Sequence, residues 1–367
     1  IHMNKQKEKC MNNLKKLGLS ALAGSLVAVS AQAGEISVSG SANVTYKTKP
    51  GVTGKSIGTD KDVAFTGSGE LDNGWTFTVS TLLTDAMIVS SSYTSITMGS
   101  MGTVSFGTDT GGASYKYDEE VPQAYEQTSD AQQNSANKVG DQMDSNMIVY
   151  NSPSFDMGGA SVSFDLEASP NANGNGANDG GLATYGNYGT GLGAGVTVKY
   201  DALSVGVYGA QIEQNVAQAA SAANASTDAD GDVFEGVWYA KYSFGPVSVG
   251  YSQSYLDQGV TGAAAATTAA KTVRTAAGLF EMETMSIAFN VNDNLSISYT
   301  ESEDTYDAQD NASSAVSDVT MDTDAIQIAY SMGGMSIKAY NMETTNPGYD
   351  SDAASGSSTE IALGLSF

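Results

Sequence analysis

The chain has 367 residues and a formal charge of −25, with one cysteine and one histidine. So large an acidic excess argues against nucleic acid as a partner. Beyond residue 33 no run approaches the ~20 apolar residues of a membrane helix, which disfavours a helical membrane protein; a membrane β-barrel needs only about 9–11 alternating residues per strand and stays open.

Taken in order, Met11-Asn12-Asn13-Leu14-Lys15-Lys16 is a basic segment, residues 17–30 are apolar, and Ala31-Gln32-Ala33 has the form of a cleavage site. Residues 11–33 are therefore expected to be a signal peptide, with residues 1–10 an upstream extension or cloning remnant and 34–367 the exported chain. Removal of the leader takes Cys10 and His2 with it, so the mature chain has neither disulfides nor the residues for zinc-type or Ser–His chemistry. Five lysines and one glutamate leave as well, which brings the charge to −29.

Residues 35–47 alternate: Ile36, Val38, Gly40, Ala42, Val44 and Tyr46 make one face, and Ser37, Ser39, Ser41, Asn43, Thr45 and Lys47 the other. The first face suits lipid and the second water. Gly40 and Ala42 on the apolar face hint at a neighbouring subunit, or at a bend. Residues 62–71 and 75–83 flank Asp72-Asn73-Gly74, a tight-turn signature. Strand-like runs follow at 93–99 and 103–108.

Residues 107–146 then form a long acidic stretch without a sustained apolar period, far longer than an ordinary connection and so expected to be functional or disordered. After it come runs at 146–151, 160–167, 192–200, 203–212, 234–243, 247–255, 277–290, 295–302, 322–331, 335–342 and 358–367, with short and long connections alternating. The total is about sixteen segments with turns on one side and loops on the other, the asymmetry of an outer-membrane barrel. All six prolines fall outside the expected strands. Tyr150, Phe155, Tyr200, Tyr242, Phe244, Phe289 and Tyr330 gather beside the short turns, where a barrel places an aromatic girdle.

At this point the chain resembles the Gram-negative general porins, trimeric barrels of sixteen strands, over its whole mature length. The residues that carry the resemblance are 34–40, Leu71-Asp72-Asn73-Gly74, Gly102-Thr103-Val104-Ser105-Phe106-Gly107, Tyr150-Asn151-Ser152-Pro153 and the terminal Leu363-Gly364-Leu365-Ser366-Phe367. The resemblance implies that 107–146 is the third external loop, folded into the lumen as a constriction, with acids on it facing basic residues of the wall. The acids are Asp118, Glu119, Glu120, Glu126 and Asp130. The basic side departs from that pattern, because the mature chain has a single arginine, Arg274, in an outer loop; Lys47 is the wall candidate, and Lys116 and Lys138 lie in the loop itself. A mostly negative pore is the expectation. The resemblance further implies a homotrimer, contact with outer-membrane lipid or lipopolysaccharide, and recognition of Phe367 by the barrel-assembly machinery.

Asp228, Asp230 and Asp232, with Glu235, have the carboxylate density of a weak Ca²⁺ site but not the EF-hand spacing, and a solvated acidic loop is the favoured reading, as it is for Glu301-Ser302-Glu303-Asp304. Gly189-Thr190-Gly191-Leu192-Gly193 lacks the following helix and Lys-Ser/Thr pair of a phosphate-binding run. No cofactor is expected otherwise. The expected function is passive diffusion of small hydrophilic solutes with a preference for cations. A substrate-specific porin and a structural or adhesive barrel are the alternatives; an enzyme is disfavoured because the commonest general base is missing.

Overall fold

The computed structural model describes residues 34–49, 55–108, 112–131, 139, 143, 146–172, 188–214, 232–257, 279–307 and 318–367. The expected leader, Lys138, Asp228, Asp230 and Arg274 lie outside these residues.

The chain runs as antiparallel hairpins: β1 (Ile36–Thr48), β2 (Ser56–Glu70), β3 (Thr76–Leu83), β4 (Val89–Thr97), β5 (Thr103–Thr108), β6 (Met147–Asn151), β7 (Phe155–Met157), β8 (Ala160–Ser169) and β9 (Tyr188–Tyr200). It continues through β10 (Leu203–Gln214), β11 (Val233–Phe244), β12 (Val247–Asp257), β13 (Leu279–Asn292), β14 (Leu295–Asp307), β15 (Val319–Met332), β16 (Met335–Thr344) and β17 (Gly356–Ser366). All belong to one sheet, and β1 pairs with both β2 and β17, so the sheet closes without an edge. Both β6 and β7 pair with β8, Ile148 opposite Ala168 and Phe155 opposite Val162. They are two pieces of one barrel strand parted at Pro153, which has no N–H to give the ladder. The barrel therefore has sixteen strands.

Parity divides every strand between lipid and water. On β14, Ile297 and Tyr299 point outward while Ser298, Thr300 and Ser302 point in and are buried. Outward positions such as Leu192 (61% exposed), Ile326 (66%) and Met285 (54%) are bare, an apolar surface suited to lipid or a neighbouring subunit. Tyr200, Tyr242, Phe244, Phe289 and Tyr330 stand exposed near the short-turn ends of their strands, as a girdle requires, and Phe155 is exposed with them. At the opposite end the apolar band stops where Glu283, Glu303 and Asp322 lie directly opposite one another on β13, β14 and β15. Like charges in one row are tolerable only in a wet, ion-rich layer.

Several sequence expectations change. Glu301-Ser302-Glu303-Asp304 is not a loop but the far half of β14, with Ser302 and Asp304 buried inside and the Tyr349 hydroxyl donating to Asp304 at 2.6 Å. Polar residues at inward positions mimic loop composition. Gly189–Gly193 is likewise strand, within β9. Glu235, counted with the Ca²⁺ candidates, points inward from β11 and is fully buried, whereas Asp232 is exposed and accepts a bond from Gln211 at 2.9 Å. Among the described residues no cluster of carboxylates is disposed to hold a metal ion. Gly40 has a local reason as well: a Cβ there would come within 2.5 Å of the Phe367 ring. The two residues also exchange backbone bonds of 2.9 and 3.0 Å, which extends the seam between the first and last strands.

Candidate functional site

The segment after β5 enters the barrel and lies along its inner wall, and its attachments can be followed strand by strand. The Ala113 N–H donates to Glu167 on β8 at 2.5 Å, and the Tyr208 hydroxyl from β10 donates to the other oxygen of the same carboxylate. Asp165, one inward position further along β8, receives Lys116 at 2.6 Å, the Tyr117 hydroxyl at 2.7 Å and the Asn151 amide at 2.6 Å. Burying a carboxylate is tolerable with that many donors.

The wall makes room where the loop is bulkiest. Tyr117 is fully buried and stacks on Tyr208 with ring centroids 5.5 Å apart, over Gly195, where a side chain would collide with its ring. Pro122 occupies the space above Gly250 in the same way. Within the β9 glycines that look like a nucleotide motif, Gly191 leaves room for Met143 of the loop, and Gly193 for Glu167 and Tyr208 of the wall.

Farther along, Glu120 pairs with Lys241 of β11, and the Ser286 hydroxyl of β13 donates to the Pro122 carbonyl. Ala124 N–H reaches Ser298 of β14 at 2.9 Å. Gln327 of β15 accepts from the N–H groups of Tyr125 and Glu126 at 2.7 and 2.9 Å and donates to the Glu126 carbonyl at 2.7 Å. Finally the Tyr125 hydroxyl donates to Glu360 of β17 at 2.7 Å, and Lys47 of β1 pairs with that carboxylate at 2.9 Å, beneath the Tyr340 ring. Lys338 lies 5.2 Å from the centre of the Tyr125 ring.

The loop therefore covers the inner wall from β8 round to β17. Many inward side chains there are buried, including Ser252, Ser254, Thr284, Thr300 and Gln327. On β1 and β2 the inward residues Ser37, Ser39, Ser41, Asn43 and Thr45, and across the ladder Asp60 and Asp62, are exposed or half-exposed, whereas on β3 the inward Ser80 is buried. The open passage runs beside that wall.

The acids expected at a constriction are handled differently by the structure. Glu119, at φ 41°, turns back into the loop, where its carboxylate accepts from the Thr128 hydroxyl at 3.1 Å and the Ser129 N–H at 3.0 Å. Glu120 is paired with Lys241, the Asp118 carbonyl accepts from Gln127 at 2.9 Å, and Asp130 lies in the helical turn Thr128–Ala131. Of the basic candidates, Lys47 stands inward on β1 but neutralises Glu360, and Lys116 is spent on Asp165. Sequence reasoning missed the inward lysines Lys199, Lys241 and Lys338, and also Asp60 and Asp62. Their strand parity was the available signal, since each sits opposite an inward partner in the register.

A family model described as Gram-negative porin matches residues 18–294. The chain belongs to the Gram-negative porins. Its place is accordingly the outer membrane. Solved porins share its fold at low identity. OmpF of Salmonella typhi, in complex with daunomycin, is 12% identical over 91% of this chain and 98% of its own, with a TM-score of 0.66. An anion-selective porin from Comamonas acidovorans is 14% identical over 91% and 99%, at 0.61, and a trimer form of OmpT from Vibrio cholerae is 12% identical over 91% and 100%, at 0.55. No curated protein matches the chain by sequence. Since one porin of this fold is anion-selective, the preference of this one has to be argued from its own lumen.

Proposed function

We propose that this porin is a passive diffusion channel for small hydrophilic solutes and ions, prefers cations, carries out no reaction, and works as a homotrimer. The observation that carries the reading is the division of the inner wall: the loop is bonded to β8 through β17, and the hydroxyl-lined face of β1 to β5 is left to water. Serine, threonine and asparagine there offer hydrogen bonds to any hydrated solute and no pocket for a particular one, which favours general diffusion over a substrate-specific channel.

Cation preference follows from charge. The full chain is at −25, and Lys47, the lysine that faces inward from β1, is paired with Glu360. A lumen with uncompensated carboxylates raises the local cation concentration, and salt screens the effect as the Debye length falls from about 10 Å at 0.1 M to about 3 Å at 1 M. The trimer is supported by the OmpT trimer form with the same fold. The test is the zero-current potential of a planar bilayer across a KCl gradient. A cation-sign potential that shrinks in concentrated salt is expected, and an anion-sign potential would contradict the reading.

A further inference from the structure

Asp60 and Asp62 lie on β2 opposite Asn43 and Ser41 of β1, all four pointing into the lumen. Asp60 is exposed and Asp62 half-exposed, on the wall that the loop leaves uncovered. Lys61 between them points outward by strand parity and cannot neutralise them across the sheet. The acids of the loop are differently placed: Glu119 is folded inside it and Glu120 is paired with Lys241. A passing ion therefore meets acids on the wall where the resemblance expects basic residues.

We propose that Asp60 and Asp62, rather than the acids of the loop, set the ion preference of this pore. The inference rests on the channel reading above and names the residues behind its selectivity. They act on ions in transit through the field of two adjacent carboxylates. Each enriches cations about two-fold and depletes anions as much at about 8 Å in unscreened water-like dielectric, so that removal of both should lower the cation-to-anion permeability ratio roughly thirty-fold in dilute salt and about five-fold at 0.1 M, where the Debye length is about 10 Å.

The experiment compares zero-current potentials for wild type, Asp60→Asn/Asp62→Asn, Asp60→Lys/Asp62→Lys and Asp322→Asn/Asp324→Asn, each first shown to fold by its heat-modifiable gel mobility. The last variant removes the same charge from the outer face of β15. The expected result is loss of most of the preference with asparagine, reversal with lysine, and no change with the outer pair. A cation-preferring wild type whose potential is indifferent to Asp60→Asn/Asp62→Asn, or equally sensitive to Asp322→Asn/Asp324→Asn, would overturn this assignment and leave the channel reading standing. A wild type without cation preference would overturn the reading beneath it.

Discussion

The Tyr117 ring fills the space over Gly195 that a side chain would need, and this one juxtaposition fixes where the loop begins its course along the wall. Gly195→Leu should force the ring out, with an overpacking cost of about 1–3 kcal/mol that the barrel itself can bear. The expected outcome is a folded, heat-modifiable barrel whose loop has become a protease target and whose single-channel current is noisier. A quiet channel with an uncut loop would show that the seat does not hold Tyr117.

Alkaline pH should loosen the same loop. Burial above all, with Asp165 and Glu360 adding to it, pushes the Tyr117 and Tyr125 hydroxyls above the usual tyrosine range. The folded protein holds these protons more tightly than the unfolded chain, so their contribution is whole below about pH 10 and is lost as pH rises beyond it. Tyr117→Phe/Tyr125→Phe isolates the contribution of these two hydroxyls. Limited proteolysis should show the wild-type loop opening above about pH 10, and the double variant should be looser at neutral pH with a smaller further change. An identical pH response in both would mean that these hydroxyls are not its cause.

The seam between β1 and β17 gives a third expectation. Gly40→Val puts methyl groups into the Phe367 ring while leaving the bonding pattern of the backbone available. Closure should weaken by about 1–3 kcal/mol, seen as a lower temperature for loss of the fast-migrating folded form on unheated gels. The same temperature as wild type would mean that the ring is free to move aside.

The barrel was legible because apolar and polar faces alternate along strand after strand and no apolar helix intervenes: Ile36, Val38 and Val44 against Ser37, Ser39 and Asn43 read directly as two faces, and the turn at Asp72-Asn73-Gly74 sets a register. Strand ends were harder. Beyond the apolar band both faces become polar, so that Glu303 outside and Asp304 inside look like loop although the backbone ladder continues. The loop was legible as a loop, but its course was not. Tyr117 and Gly195, or Tyr125 and Glu360, are far apart in the chain and carry no periodic signal, and carboxylates that look free in the sequence prove to be held: Asp165 and Glu360 by tyrosines of the loop, Glu120 by Lys241 of β11, and Glu119 by Thr128 and Ser129 of the loop itself.

The central claim is that water and ions pass beside the β1 to β5 wall. It is met most directly by single-channel conductance of Asn43→Cys before and after reaction with a bulky charged thiol reagent, with Val44→Cys as the outward neighbour. The account predicts steady open steps in both variants, and a fall in step size on labelling at position 43 alone. A correctly folded barrel that passes no current, or steps that stay unchanged after the thiol introduced by Asn43→Cys is shown to be labelled, would contradict it.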